Sequence, residues 1–285
     1  MSIFEYNSGA VSVVIPTYNR IHTLPRALSS VFEQSTPAGE VIVVDDGSTD
    51  NTQETLARDF PDVTTIRQEN AGVSAARNVG IARAKGEWIA LLDSDDAWLT
   101  TKLEAQLKTL SASPEARLCH TEEIWIRDGV RVNQMKKHAK SGGWLFQRSL
   151  ALCCISPSAA LIHRSVFEDY GDFDEGLPAC EDYDLWLRIT GHEPVVYVEV
   201  PQIYKYGGHE DQLSRAFWGM DRFRIAAIEK TLNMGTLSAE DEAAALRTIV
   251  KKLKILVAGA RKRENLAVIE AYGPKFDLWM SRLEG

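Results

Sequence analysis

The chain has 285 residues, 45% hydrophobic and 25% charged, with 40 acidic against 32 basic side chains and a net charge of −8. Such a balance fits an ordinary soluble globular protein with a substantial core, and excludes a general nucleic-acid binder, whose footprint is basic. No run reaches the roughly 18 to 20 apolar residues that span a bilayer, and the opening MSIFEYNSGA lacks a basic start followed by an apolar stretch, so a cytoplasmic protein is expected.

Residues 11–15 (VSVVI) form a β-branched run closed by Pro16, and HTLPRALSSVFEQ then shows helical spacing at Leu24, Leu28, Val31 and Phe32. Next come EVIVV (40–44), a helix from Thr49 or Asp50 to Arg58, VTTIR (63–67), a helix through VSAARNVGIARAKG, and EWIALL (87–92). Strands alternating with helices predict an α/β fold whose mostly parallel central sheet is flanked by helices. Ligands of such sheets bind beyond the carboxyl ends of the strands. Four polar loops fall there: PTYNR, DDGSTD, QENAG and DSDD.

A helix is predicted over residues 99–110. LCHTEEIWIRDGVRVNQ reads as two strands around an Asp128-Gly129 turn, with Ile124 and Ile126 facing one way and Trp125 the other. MKKHAKSGG (135–143) reads as a mobile basic loop. SAALIHRSVFEDYGDFDE suggests a strand, a short helix and a turn, CEDYDLWLRITG a helix that stops at Gly191, and PVVYVEV a further strand ahead of IYKYGGHEDQLS. From about residue 216 the pattern is helical to the end. Cys119, Cys153, Cys154 and Cys180 have neither CxxC nor zinc spacing, which predicts reduced, mostly buried thiols.

Asp93, Asp95 and Asp96 crowd three carboxylates into four positions, which suits a hard cation such as Mg²⁺ or Mn²⁺ shared with substrate phosphates. The alternative is that Asp95 and Asp96 cap the helix that follows. Asp45 or Asp46 could accept a hydrogen bond from a base or ribose, while Ser48, Thr49 and Asp50 look like turn and cap residues. Tyr18 could offer its ring to a base or belong to the core. Gly72 opens a helix whose N-terminal amides could approach an anion, and Arg77 could reach a phosphate or form a structural ion pair. Asp182, in the first turn of its helix, could be a base or a simple cap; His209, in a glycine-bearing loop, a metal ligand, a diphosphate donor or a surface residue.

In this order, VSVVIPTYNR, EVIVVDDGSTD, NAGVSAARNVG, EWIALLDSDD, CEDYDLWLRI and HEDQLS resemble the inverting family 2 glycosyltransferases of the GT-A fold, over residues 11–214. The resemblance implies a GT-A domain over 1–215, with a nucleotide-sugar half at about 11–110 and an acceptor half at about 111–215, then a helical C-terminal extension over 216–285. It implies hexosyl transfer in glycan biosynthesis, from a nucleotide diphosphate donor, UDP by preference, to an acceptor hydroxyl. Pro16, Tyr18 and Asp46 would line the nucleobase pocket, Arg77 would approach the donor, and Asp93 would contact the ribose. Asp95, or Asp96 in its place, would hold manganese or magnesium with His209. Asp182 matches the catalytic base, and Glu181 would support the pocket or bind acceptor. Tyr204-Lys205 departs from the commoner Tyr-Arg pattern.

A sugar nucleotidyltransferase is a competing reading, disfavoured because no glycine- and lysine-rich triphosphate loop follows the first strand; a dehydrogenase lacks GxGxxG there. A nucleotide-sugar-binding module without turnover is the alternative from another class. Glu122, Glu123, Trp125 and Trp144 could meet an acceptor sugar or belong to the core. LRTIVKKLKILVAGARKR (246–263), with seven basic and no acidic residues, could rest on the inner face of an anionic membrane and suit a lipid-linked acceptor, or pack on the catalytic domain with a solvated basic edge.

Overall fold

The computed structural model describes residues 10–208 and 217–285. Its first half is β1 (Val11–Thr17), α1 (Leu24–Phe32), β2 (Glu40–Asp45), α2 (Thr52–Asp59), β3 (Thr64–Arg67), α3 (Val73–Arg83) and β4 (Trp88–Leu91). These strands are mutually parallel, in the spatial order β3-β2-β1-β4. Along β1 and β2 successive residues enter opposite cores: Val13, Ile15, Val41 and Val43 pack on one face, Val14, Ile42 and Val44 on the other. Period-two alternation with both faces covered explains why these strands read as unbroken apolar runs. Gly80 lets α3 lie directly on β1, since a Cβ there would stand 2.4 Å from Val14 Cγ1.

Beyond β4 the sheet becomes mixed. After β5 (Ala97–Trp98) and α4 (Lys102–Ser111) come β6 (Leu118–Arg127), β7 (Val130–Val132), α5 (Phe146–Ala151), β8 (Leu161–His163), α6 (Ser165–Tyr170), α7 (Glu181–Thr190) and β9 (Val196–Gly207). β8 runs antiparallel between β4 and β6, β9 is parallel to β6, and β5 closes the order antiparallel to β9. The hairpin turn of β6 and β7 falls at Asp128 and Gly129, whose φ values of 49° and 76° are those a two-residue hairpin requires.

Three expectations are corrected. The helix predicted from residue 99 begins at Lys102, because Ala97 and Trp98 pair with Tyr204 and Ile203 instead. The strand predicted at PVVYVEV runs on through Pro201 to Gly207. Its partner β6 shifts register on both sides of Glu122, opposite Pro201, so the residue without an N–H sits at an irregularity of the ladder. The basic 135–143 segment is anchored, not loose: Lys140 Nζ lies 3.2 Å from Glu123 Oε2, and Gly143 bridges to Val195.

The C-terminal helices are α8 (Asp221–Met234), α9 (Ala239–Lys262) and α10 (Leu266–Glu284). Leu246, Ile249, Val250 and Leu253 of α9 share one core with Phe146 and Leu150 of α5, Tyr183 and Leu187 of α7, and Ile225 of α8. The apolar stripe of α9 is thus covered by protein, while Arg247, Lys251, Lys254, Arg261 and Lys262 are exposed. No helix among the described residues is long and apolar enough to cross a membrane. All four cysteines are free thiols, Cys119 and Cys180 buried, Cys153 and Cys154 partly so.

Candidate active site

The loops after β1 and β2 are sewn together by hydrogen bonds. Asn19, at φ 52°, donates its amide to Ser48 Oγ and accepts from the Thr49 amide, while Asp50 Oδ1 accepts the Thr52 amide and hydroxyl at the start of α2. Asp50 thus ties down the start of α2 from one residue before the N-cap position, Asn51, whose own side chain makes no cap bond. Asp45 is fully buried and shapes the turn by accepting from the Ser48 amide and Gln53 Nε2. Asp46 accepts from Gln68 Nε2 and the Ala71 amide at Oδ1 and from the Gly72 amide at Oδ2. The anion met by the Gly72 amide is Asp46 itself. These bonds leave Asp46 part of its acceptor capacity. Pro16 is buried one residue before the end of β1, and Tyr18 stands at the rim 46% exposed.

At the end of β4 the three aspartates of DSDD part company. Asp93 Oδ1 accepts Arg77 Nη2 at 2.7 Å. Asp95 lines a cleft of about 230 Å³ with Arg20, Arg26, Asp128 and Tyr206, and its carbonyl accepts Arg26 Nη2. Asp96 turns inward, where Oδ2 accepts Ser158 Oγ at 2.6 Å and Oδ1 accepts the Tyr206 amide at 2.9 Å. Neither Asp95 nor Asp96 caps the helix that follows; β5 intervenes. Burial first, then the charge of Asp95, pushes the Asp96 carboxyl well above the usual range, with Lys205 opposing and Asp93 adding to the rise.

Across the cleft, α7 opens with Glu181 and Asp182. Arg77 Nη1 reaches Glu181 Oε1 at 2.7 Å, so one buried guanidinium joins α3, the β4 tip and α7. Arg77 thus forms a structural ion pair with Glu181, which is 5% exposed. Burial raises the Glu181 carboxyl, Arg77 opposes this and Asp182 adds to it. Asp182 keeps its carboxylate half-buried, Oδ1 accepting the Tyr183 amide and Oδ2 the Cys153 thiol at 3.4 Å. The residue before this pair, Cys180, is left-handed at φ 63°, a conformation that costs a side-chain-bearing residue about 1 to 2 kcal/mol. That turn aims the two acids.

A single segment, 153–158, runs between the two acidic groups. Cys153 contacts Asp182, Ser156 Oγ accepts from Lys205 Nζ, and Ser158 Oγ meets both Asp96 Oδ2 and the Asp93 amide. Sequence reasoning missed Ser156 and Ser158, which resemble any loop serine, and noted Lys205 only as a departure from Tyr-Arg. On the acceptor side, Glu123 is buried between Trp125 Nε1 and Lys140, while Glu122 accepts from Tyr197 and Gln134. Trp125 is half-buried and Trp144 is 68% exposed. His209 lies outside the described residues.

Among the described residues no three His, Cys, Asp or Glu side chains are grouped to hold a metal ion. The β4 tip offers hard carboxylate oxygens, Asp93, Asp95 and Asp96 lying within four positions and Asp95 lining the cleft. One or two such ligands beside open coordination positions fit a Mg²⁺- or Mn²⁺-type ion that completes its shell with substrate phosphates.

The family model for glycosyl transferase family 2 matches residues 12–171. An uncharacterized glycosyltransferase of Rickettsia conorii is 31% identical over 191 residues, 66% of this chain and 31% of that protein. The chain spans only 26% to 33% of the length of the first three Rickettsia relatives. An Escherichia coli protein, UDP-Glc:alpha-D-GlcNAc-diphosphoundecaprenol beta-1,3-glucosyltransferase WfgD, is 31% identical over 63% of this chain and 69% of its own length. Among solved structures, S. aureus TarS 1-349 in complex with UDP-GlcNAc superposes with a TM-score of 0.69 at 21% identity, covering 85% of this chain and 71% of that one; the fold is thus the GT-A type. The matched span carries the parallel strands, their polar loops and the DSDD tip, and the chain belongs to glycosyl transferase family 2.

Proposed function

We propose that the protein is an inverting, metal-dependent glycosyltransferase that moves a sugar from a nucleotide diphosphate, UDP by preference, to an acceptor hydroxyl. The observation that carries the reading is the 153–158 segment, which contacts Asp182 at one end and Asp96 at the other. A base and an anion-handling tip contacted by one segment suit a single displacement. Asp182 takes the acceptor proton as its oxygen attacks the anomeric carbon, and the bond to the diphosphate breaks on the opposite face. Such general-base help contributes about 10² to 10⁴ in rate.

Asp95 or Asp96, with His209, would hold the ion, and Asp93 would contact the ribose. When bound, the ion supplies Lewis-acid stabilisation of the departing diphosphate. Pro16, Tyr18 and Asp46 form the base pocket in this reading. Arg77 acts indirectly, fixing Asp93 and Glu181.

The acceptor side is Glu122, Trp125 and Trp144, with residues 1–215 the catalytic domain and 216–285 its helical extension. The relative named for a diphosphoundecaprenol acceptor supports a lipid-linked saccharide. The exposed cations of α9 suit attachment to the cytoplasmic face of a membrane. Titration with UDP-, GDP- and dTDP-sugars, with and without Mn²⁺, tests the reading. Metal-dependent donor binding is expected, with slow donor hydrolysis that Asp182→Asn lowers about 10²-fold or more while binding persists. Tight binding without turnover of any donor or acceptor would favour the binding module.

A further inference from the structure

Arg26 stands in the first turn of α1, a turn that holds no acidic residue. A helix N-terminus carries positive partial charge, so a cation there is unfavourable for the helix itself. The side chain is exposed and turns to the β4 tip instead. It begins a row: Arg26 and Ser30 on α1 and Gln34 just past its end, each four residues on, face the segment that follows DSDD. Arg26 Nη2 donates to the Asp95 carbonyl at 2.5 Å, Ser30 Oγ accepts the Trp98 amide at 3.0 Å, and Gln34 donates to the Leu99 carbonyl and accepts the Leu103 amide. From the other side β9 pairs with Ala97 and Trp98, and the Gln202 carbonyl accepts the Leu99 amide. The buried part of the segment is thus gripped twice, and Arg26 extends the grip outward to the rim.

At the rim its effect falls on one peptide group. The Asp96 amide donates to the Asp93 carbonyl at 3.0 Å, closing the DSDD turn, and the carbonyl of the same peptide, that of Asp95, is the one Arg26 holds. A peptide is planar, so bonds at both its ends fix its plane and with it the backbone from which the Asp95 side chain springs. The guanidinium is held in turn, lying 3.6 Å from the centre of the Tyr206 ring, and the Tyr206 amide is bonded to Asp96 Oδ1. Asp96 has both oxygens engaged by Ser158 and Tyr206, whereas Asp95 lines the cleft together with Arg26 and Tyr206.

We propose that Arg26 is a positioning residue for the divalent ion: by fixing the Asp95–Asp96 peptide it aims the Asp95 carboxylate into the cleft. The proposal rests on the metal-dependent donor reading above and assigns Arg26 no contact with the donor. Neighbouring carboxylates repel one another, so a free turn would let Asp95 swing toward water; a pinned turn keeps its oxygens in place for the ion. Because the Arg26 bond is exposed, its share in the stability of the fold is small.

Calorimetric titration of UDP into wild type, Arg26→Met, Tyr206→Leu and the double variant, each in EDTA and in Mn²⁺, tests the assignment. The quantity read is the gain in UDP affinity on passing from EDTA to Mn²⁺. Loss of a group that orients a metal ligand lowers metal affinity about ten- to a hundredfold. The gain should shrink by about that factor in Arg26→Met, while UDP affinity in EDTA and the melting temperature stay as in wild type. Tyr206→Leu, which removes the ring beneath the guanidinium and keeps the amide bond to Asp96, should shrink the gain too. The double variant should lose no more than Arg26→Met alone, since both changes act through one contact. An unchanged gain in Arg26→Met would overturn the proposal, and so would additive losses in the double variant. A fall in UDP affinity in EDTA as large as that in Mn²⁺ would make Arg26 a direct contact of the nucleotide and overturn it too. Wild-type protein that bound UDP equally in EDTA and Mn²⁺, or not at all, would overturn the metal-dependent donor reading and this proposal together. Should Arg26→Met lose its folded melting transition, Arg26→Ala, which suits a helix, gives the same comparison.

Discussion

Arg77 and Glu181, 104 residues apart in the chain, meet in a 2.7 Å ion pair with both side chains almost wholly buried. Because the same guanidinium holds Asp93, removing it would leave two carboxylates without their partner. Arg77→Met should therefore destabilise the fold by about 3 to 5 kcal/mol, and Arg77→Lys should recover little, since one ammonium does not reproduce the fork. Chemical denaturation measures this. A loss below about 1 kcal/mol in Arg77→Met would place the pair among weak surface bridges.

The Cys153 thiol is pushed well above its ordinary pKa by burial and then by Asp182, to which it donates. It should stay protonated and react with iodoacetamide at about pH 8 at under roughly a tenth of the rate of an unhindered thiol. Mass spectrometry of the labelled peptide gives the rate. Fast labelling would mean that the thiol is not held against Asp182.

Two buried groups contribute stability that is lost in acid, while the raised carboxyls of Asp96 and Glu181 act in the opposite sense. Burial, then Lys140, lowers His120 to about 3; burial would raise Glu123, but Lys140 and then Lys205 bring it to about 2. Both folded values lie below the unfolded ones of about 6.5 and about 4.5, so the unfolded chain takes up protons first and stability falls with pH. The His120 share is lost from about pH 6.5 downward and the Glu123 share from about pH 4.5. Melting temperatures should drop between about pH 7 and about pH 4. His120→Gln should flatten the upper part of that fall and leave the lower part. A melting temperature constant over the range would contradict the assignment.

The parallel strands and their four polar loops were legible in the sequence because each is a local pattern: an apolar run, then Pro, Gly or Asp at the strand end. The β6–β7 turn was legible for the same reason, Asp128-Gly129 being short-range chemistry. What escaped was non-local. Nothing near Pro201 announces that β6 bulges opposite it and lets β9 continue, and nothing near Asp96 announces that Ser158 and Tyr206 turn it inward. The centre of the site is set by contacts between segments about 50 to 110 residues apart, such as Ser156 with Lys205 and Asp96 with Tyr206.

Arg247, Lys251, Lys254 and Arg261 lie exposed along α9, whose apolar side is already packed. Attachment to a bilayer would thus be electrostatic, about 1 kcal/mol per basic residue near the surface, and weakened by salt. The protein should co-sediment with phosphatidylglycerol vesicles and not with phosphatidylcholine vesicles, and reversal of these four charges to Glu should abolish it. Equal sedimentation with both lipids, or none with the anionic one at low salt, would remove the membrane from the picture.

The most direct test of the proposed chemistry is a crystal structure of the protein with UDP and Mn²⁺. The expected result is an ion bridging the diphosphate to Asp95 or Asp96, with Asp182 facing the place of the anomeric carbon from the side opposite the phosphates. A nucleotide bound with no ion at the β4 tip, or with Asp182 pointing away from that place, would contradict it.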